Sequence, residues 1–326
     1  MNIFIDRMNR TPKVSFYLLS LGLVLLLMLP LMVRSNAYIL QVFTHALLLA
    51  TLATAWNLLG ISGSISLGHA AFFGVGAYGS ALLSLEGGFS PWLTIPSAGI
   101  LAAGLGLIMG LVCFRLRGAY FALATLAFVE IPRVITDNWD GLTRGSLGLV
   151  GLPGLPSLHF GPLHIDIGSS MAASYFLVFA YFVILLGISA FVFRSNLGLA
   201  LQAIREEEIA AETAGIKTDT FRMLSLLLSA FFTGISGALY AHLIRYIEPG
   251  LVYGLHFSAI PMVFAICGGR FTILGPALAA MVLYPVDQFV FHPLLPAGHE
   301  FLYGAVLILT TLFVPTGLWG RLRKAF

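Results

Sequence analysis

The chain has 326 residues, of which 59% are hydrophobic and only 10% charged, and its net charge is +3. Soluble domains carry about 25% charged residues, so this composition excludes a water-soluble globular protein and indicates a chain embedded in lipid. The small net charge, without a basic stripe of interleaved aromatic residues, argues against nucleic-acid binding. Cys113 and Cys267 lie in or beside apolar runs, and we interpret them as core residues, not as a disulfide or metal site.

About ten apolar runs are long enough to cross a bilayer core, which needs about 20 residues per helix. The first run, from Phe16 to Val33, is longer than a signal-peptide core, so we expect it to be a retained helix. The predicted fold class is all-α: a polytopic transmembrane helical bundle that forms a single domain over residues 1–326. The helices are predicted near residues 15–33, 37–59, 66–85, 91–113, 118–136, 171–193, 221–244, 251–267, 273–291 and 299–316.

The positions of Lys and Arg predict which loops face the cytoplasm. With ten spans and the N-terminus inside, 13 of the 17 basic residues fall on one side of the membrane. Cytoplasmic loops of membrane proteins are enriched in Lys and Arg. We therefore predict that both termini and the 194–222 connector are cytoplasmic, and that the loop at residues 137–170 is periplasmic.

The 194–222 connector contains an amphipathic pattern that predicts one helix over residues 201–215. Leu201, Ile204, Glu208 and Ala211 fall on one side of this helix, and Arg205 is spaced to pair with Glu208 at i,i+3. Gly215 is placed to cap the helix. A solvated charged face is the usual role of such a run, but a short amphipathic helix between two spans also suits a groove on a partner protein.

The 137–170 loop is rich in glycine and proline and is long for a compact protein. It could cover a transport pathway, receive an external partner or act as a passive cover, and the sequence leaves these alternatives open.

Small residues at four-residue spacing form two stripes that permit close helix packing. They serve either packing within one bundle, which we favour, or a subunit interface. Separately, residues 65–71 and 272–278 each follow a glycine-rich break and resemble each other weakly. Such paired breaks suggest an internal inverted repeat around a midplane pathway, although chance similarity explains them equally. The stripes are Ala98, Ala102, Gly106 and Gly110, and Ser229, Thr233, Gly237 and Ala241.

Charged residues inside apolar runs are functional candidates. Glu130 precedes Arg133 by three residues on a run that contains Pro132, which predicts an intrahelical ion pair and leaves a pathway role open. Asp287 is placed near the outer end of its helix. The chain has no phosphate-binding loop of the G-x-x-x-x-G-K-[ST] type, and no HExxH, CxxC or G-x-S-x-G motif. An enzymatic role is therefore poorly supported.

Four separated motifs resemble those of branched-chain amino acid ABC importer permeases, in particular the LivM-like branch. The first is AWNLLGISGSISLGHAAFFGVGAY, at residues 55–78. The others are RLRGAYFALATLAF at 115–128, NWDGLTRGSLGL at 138–149 and GGRFTILGP at 268–276. The resemblance extends from about residue 40 to residue 318.

This resemblance implies a permease subunit in the bacterial inner membrane that translocates branched-chain amino acids or similar small polar solutes. It implies a second related permease, two cytoplasmic ABC ATPases that use ATP, and a periplasmic substrate-binding protein, with no cofactor or metal on this chain. The connector then resembles a coupling segment of the Glu-Ala-Ala-x-x-x-Gly type, with Ile209 in the Glu position. The implied coupling residues are Arg205, Glu208, Ala210, Ala211 and Gly215.

We further expect the segments 60–78 and 118–130 to line the translocation path, because their glycines permit irregular backbone beside a cavity. The candidate path residues are Ser66, Gly68, His69, Gly76, Tyr78, Tyr120, Thr125 and Glu130.

Two alternatives stay open. Urea, short amides or aromatic carboxylates are carried by similar permeases, and the sequence does not separate these cargoes. A secondary transporter driven by protons or sodium, with Glu130 as the coupling carboxylate, is the alternative of another class.

Overall fold

The structure, a computed structural model, describes residues 13–33, 36–160, 163–165, 168, 170–296, 298, 301, 304–305, 308–309 and 317. The extreme termini and most of the predicted tenth helix lie outside the described residues. The predicted cytoplasmic location of the two termini therefore stays a prediction.

Helices make up most of the described chain. Three of them begin at residues whose side chains accept a hydrogen bond from the first helical turn, namely Asn36, Ser170 and Ser195. The helices are α1 (Lys13–Met32), α2 (Ala37–Gly60), α3 (His69–Leu85), α4 (Pro91–Cys113), α5 (Ala119–Asn138), α6 (Asp140–Thr143), α7 (Met171–Arg194), α8 (Asn196–Glu206), α9 (Glu208–Thr213), α10 (Thr218–Ile244), α11 (Pro249–Val252), α12 (His256–Gly268), α13 (Gly275–Val286) and α14 (His292–Leu294).

Two short antiparallel strand pairs supplement the helices. Strand β1 (Leu149–Val150) pairs with β4 (Tyr246–Ile247), and β2 (Leu158–Phe160) pairs with β3 (Leu163–Ile165). The first pair attaches the 137–170 loop to the end of α10. A π-helix at Asp287–Phe291 joins α13 to α14.

Seven helical stretches of the described residues are long and apolar enough to cross a membrane. Two shorter apolar helices lie at Ser20–Met32 and His69–Leu85. Each of the first nine predicted helices overlaps one of these stretches, whereas the total of ten crossings stays a prediction. The seven stretches are Ala37–Gly60, Pro91–Cys113, Ala119–Asn138, Met171–Arg194, Thr218–Ile244, Pro249–Gly268 and Gly275–Leu294.

Helix α2 occupies the centre of the bundle. Every residue from Ala46 to Gly60 is buried, as expected for a helix that is apolar on all sides. Helices α7, α10, α12 and α13 pack around it. Cys113 and Cys267 are both buried and unbridged, which confirms their interpretation as core residues.

Both small-residue stripes pack against other helices of this one chain: the first meets Ala230 and Gly234 of α10, and Gly237 of the second meets the Phe73 backbone of α3. Helix α10 lies between α3 and α4, and a Cβ atom at Gly106 of α4 would come within 2.9 Å of the Ala230 Cβ on α10. On the α3 side, the Gly76 backbone contacts the backbone of Gly234 directly. The favoured interpretation of the stripes as packing motifs within one bundle is therefore what the structure shows.

Candidate functional site

The 194–222 connector forms a compact platform at one end of the bundle. Leu201, Ile204 and Ala211 are buried in a small apolar cluster together with Ile61, which follows the end of α2. Gly215 adopts a φ of +87°, and the Ile216 amide donates a hydrogen bond to the Ala211 carbonyl at 3.0 Å. This is the glycine-capped helix end that the sequence predicts.

The structure corrects the prediction of one continuous helix over residues 201–215. The chain breaks at Glu207, whose φ of −160° and ψ of 109° are extended, so that α8 ends at Glu206 and α9 begins at Glu208. The break turns α9 so that Ala211 can enter the same apolar cluster as Leu201 and Ile204. Tertiary packing thus overrides the local helix preference of the segment.

The ion pairs of the connector also differ from the prediction, because Arg205 and Glu208 no longer share one helix. Arg205 pairs with the neighbouring Glu206. Glu208 instead accepts two hydrogen bonds from Arg222 of α10, at 2.6 and 3.0 Å, and lies 3.6 Å from Arg117. Two-pronged arginine–carboxylate pairs fix geometry well, so Glu208 attaches α9 to the bundle.

The outward face of the platform is acidic around one apolar side chain. Ile209 is 63% exposed, and Glu206, Glu207, Ala210 and Glu212 are exposed beside it. Isolated exposed apolar residues are common. Ile209, however, lies at the position where the Glu-Ala-Ala-x-x-x-Gly coupling motif has Glu.

Five of the predicted path residues, together with Tyr78, are buried in the interior of the bundle. Ser66, His69 and Thr125 all make hydrogen bonds: the Leu67 amide donates to Thr125 Oγ1 at 3.0 Å, the Gly68 amide donates to Ser66 Oγ at 3.1 Å, and His69 Nε2 bonds Ser229 Oγ at 2.8 Å. His69 Nδ1 has no partner in the described part of the chain. A Cβ at Gly68 would come within 2.9 Å of the Met109 sulfur. The interior is therefore closely packed at these positions, with Gly76 held against α10.

Tyr78 stacks on Tyr253, with ring centroids 6.1 Å apart, and its hydroxyl has no hydrogen-bond partner in the described part of the chain. The Tyr253 hydroxyl accepts a hydrogen bond from Thr136 at 3.2 Å. These contacts connect α3 with α5 toward the end of the bundle that carries the 137–170 loop.

The other two path residues, Tyr120 and Glu130, lie on the exposed face of α5. Glu130 accepts a hydrogen bond from Arg133 Nε at 2.6 Å, which confirms the predicted ion pair. Arg133 also lies 3.8 Å from Asp137. The exposed face of α4, by contrast, belongs to a helix without a charged residue. The face of α5 is therefore unlike a surface made only for lipid.

A loop between α12 and α13 meets the connector at the same end of the bundle. The guanidinium carbons of Arg205 and Arg270 lie 4.2 and 4.4 Å from the centre of the Phe271 ring. Burial, and secondly the nearby charge of Arg205, lower the pKa of Arg270 from its ordinary value. This loop was not predicted as a partner of the connector, although the Gly268–Gly269 break beside it is visible in the sequence.

The 137–170 loop is fastened to the opposite end. His242 Nδ1 bonds the Pro153 carbonyl at 2.8 Å, and Arg245 bonds the Gly168 carbonyl. The Tyr246 hydroxyl donates to Glu248 at 2.6 Å, and this bond raises the pKa of Tyr246. The loops predicted to be cytoplasmic and those predicted to be periplasmic thus gather at different ends of the bundle.

These observations define a multi-pass helical membrane protein with a connector platform at one end, a loop fastened to the other end and one charged helix face. Residues 38–311 match the family described as the permease component of branched-chain amino acid transport systems. The chain belongs to this family, and it is a membrane permease.

Relatives agree with the family assignment. The chain is 30% identical to the high-affinity branched-chain amino acid transport permease LivM of Escherichia coli K12, covering 94% of this chain and 75% of LivM. It is 26% identical to LivH of Salmonella typhimurium LT2, covering 80% and 87%. It is also 26% identical to the autoinducer 2 import permease LsrC of Shigella flexneri, covering 87% and 80%. No solved structure matched the chain significantly.

Proposed function

We propose that this chain is one permease subunit of an ATP-binding cassette importer in the bacterial inner membrane. The observation that carries the proposal is the connector platform. The pair of Glu208 with Arg222 fixes α9 to the bundle, and the buried apolar cluster fixes α8, yet Ile209 stays exposed to receive a partner. Two cytoplasmic ATPases would bind there, with Arg205, Glu208, Ala210, Ala211 and Gly215 as coupling residues. The chain itself needs no ATP-binding site in this arrangement.

The proposed cargo is a branched-chain amino acid or a similar small polar solute. The names of LivM and LivH support this class. The similarity to LsrC, the permease of an autoinducer 2 import system, indicates that related chains serve other cargoes, so urea, short amides and aromatic carboxylates remain alternatives. A periplasmic binding protein would select among them.

The translocation path is proposed to run along the exposed face of α5, where Tyr120 and Glu130 lie. An intramembrane charge is costly beside lipid, and the Glu130–Arg133 pair would be stabilised by water or by a second permease facing α5. The buried candidates Ser66, Gly68, His69, Gly76, Tyr78 and Thr125 would support this wall from behind. In particular, Thr125 holds the Leu67 amide from the inner side of α5.

Alternating access would follow when the ATPases close and displace the connector. The test is uptake by proteoliposomes that contain this chain, its second permease and its ATPases, with the binding protein added. We expect uptake that requires ATP and is indifferent to a protonophore. Uptake without ATPase subunits that collapses with a protonophore would instead support an ion-coupled carrier and overturn the proposal.

The variant Ile209→Asp tests the docking surface directly. We expect it to lower copurification of the ATPase subunits by about tenfold, the order of effect of losing a buried anchor at an interface. Thr220→Ala, an exposed position on the first turn of α10, is the matched control and should copurify normally. If both variants retained as much ATPase as the wild type does, the assignment of the platform as the docking surface would be contradicted.

A further inference from the structure

Arg205 contacts two separate segments that interrupt the helices of the bundle, residues 60–68 and 269–274, which we call the two breaks. Its side-chain stem lies against Gly63, where a Cβ would come within 3.2 Å of the Arg205 Cγ. Gly63 has a φ of +83°, a conformation that other residues rarely adopt. The guanidinium of the same side chain lies over the Phe271 ring. One residue of α8 therefore contacts the segment 60–68 and the loop 269–274 at once.

Both breaks are also attached to the C-terminal part of α2. Asn57 Nδ2 donates a hydrogen bond to the Thr272 carbonyl at 2.9 Å, across 215 residues of sequence. Trp56 Nε1 donates to the Ser66 carbonyl at 2.8 Å. The segment 60–68 reaches α5 through the Leu67 amide, which bonds Thr125. A displacement of the segment 60–68 would thus reach α5, the helix whose outer face carries Glu130.

The contacts on the two breaks differ in kind. Ile61 joins the segment 60–68 to the connector through the buried apolar cluster with Leu201 and Ile204. The loop 269–274 meets the connector through the cation–π contact of Arg205 on Phe271. Arg270 stacks on the same ring, but it belongs to the loop itself and adds no connection between the elements.

We propose that Arg205 on Phe271 is the link that makes the loop 269–274 move with the 194–222 connector, so that both breaks and α5 respond together when the connector is displaced. This inference rests on the proposed function for its role in transport. Phe271 is here a positioning residue, because it acts through Arg205. A cation–π contact of this kind shifts an equilibrium by about two- to fivefold.

The transport test compares Phe271→Leu, which keeps an apolar side chain without a π face, with the conservative variant Phe271→Tyr. We expect Phe271→Leu to lower the solute imported per ATP hydrolysed by about two- to fivefold, and Phe271→Tyr to restore it. Arg205→Lys should resemble Phe271→Leu, because an ammonium lacks the planar stacking of a guanidinium. If Phe271→Leu fails to assemble, Arg205→Lys still tests the link.

Arg270→Lys is the matched control, because it removes an equal guanidinium from the same ring without touching the connector. Its solute-to-ATP ratio should equal that of the wild type. A wild-type ratio in Phe271→Leu, or an equal loss in Arg270→Lys and Phe271→Leu, would overturn the proposed link. Failure of the wild type to import with ATP would instead count against the proposed function.

Hydrogen exchange of the purified full chain tests the link without transport. Glu208→Gln releases the connector from Arg222, and we expect faster exchange in the loop 269–274 as a result. In a Phe271→Leu background the same change should leave exchange in this loop unaltered, since the loop is already detached from the connector. The same increase in both backgrounds would overturn the link whatever the protein transports.

Discussion

At the scale of single residues, Glu208 connects the connector to the bundle. Its carboxylate faces Arg222 in a two-pronged pair and has Arg117 nearby, and the side chains of Glu208 and Arg222 are mostly buried. Removing one partner of such a pair leaves the other charge poorly solvated. The residue is therefore more than a solvated surface acid, although its neighbours Glu206 and Glu207 are exposed.

We expect Glu208→Gln to destabilise the connector by about 1–3 kcal/mol, as for the loss of a charged hydrogen bond. Limited proteolysis of the purified chain measures this as faster cleavage within residues 194–222. Glu207→Gln, at the exposed break residue, is the control and should be cleaved at the wild-type rate. If the two variants were cleaved equally slowly, the pair with Arg222 would have no structural role.

At the scale of helices, the close approach of α3 to α10 depends on glycine. Gly76 meets the backbone of Gly234, and Gly237 meets the Phe73 carbonyl in the same way. Without a hydrophobic force between helices in lipid, such backbone contact is a main source of attraction. The two helices cannot separate without exposing the buried hydroxyl and imidazole groups that bridge them, such as the His69–Ser229 pair.

We expect Gly76→Ala to destabilise the bundle by about 1–3 kcal/mol, because an added methyl group overpacks the contact. Thermal unfolding in detergent measures the loss. Gly187→Ala on α7 is the control: nothing lies within 4 Å of its Cβ position, and alanine favours a helix by about 1 kcal/mol. A Gly76→Ala protein as stable as the Gly187→Ala protein would show that α3 and α10 can move apart freely.

The helices themselves were predictable from sequence, since apolar runs such as residues 37–59 and 91–113 impose helix in lipid. The glycine cap at Gly215 and the pair of Glu130 with Arg133 were also predictable, because both depend on neighbours in sequence. The break at Glu207 was not, because distant Ile61 and Arg222 decide it. Long-range contacts of this kind leave no local pattern.

The candidate site was also predictable only where it depends on neighbours in sequence. A motif grouped Ser66, His69 and Glu130 as path residues, but the position of a side chain on the buried or exposed side of the bundle depends on helix rotation. The structure buries Ser66 and His69 and exposes Glu130. The contact between Arg205 and Phe271 joins residues 66 positions apart and could not be read from either segment alone.

At the scale of the whole molecule, the two ends of the bundle should face different compartments. Ile209 is exposed on the connector, and Leu147, 80% exposed, lies in the 137–170 loop. The native cysteines, Cys113 and Cys267, are only 1% and 2% exposed, so they give little labelling background. The wild-type protein is therefore its own unlabelled control.

We expect a membrane-impermeant maleimide to label Leu147→Cys in intact spheroplasts, and Ile209→Cys only after the membrane is opened. The reason is the enrichment of Lys and Arg at the connector end, which holds that end in the cytoplasm. Labelling of Ile209→Cys from outside would place the platform away from any ATPase and would overturn the proposed mechanism.

The fastening of the 137–170 loop has a consequence for encounters at the surface that is predicted to face the periplasm. His242 and the pairing of β1 with β4 hold this loop in place before any partner protein binds. Ordering a flexible segment on association would oppose affinity, and the residues that these contacts hold are already ordered by folding. A protein that docks on the described part of this loop would therefore meet a preformed surface, and its rate of association would be set by diffusion and orientation.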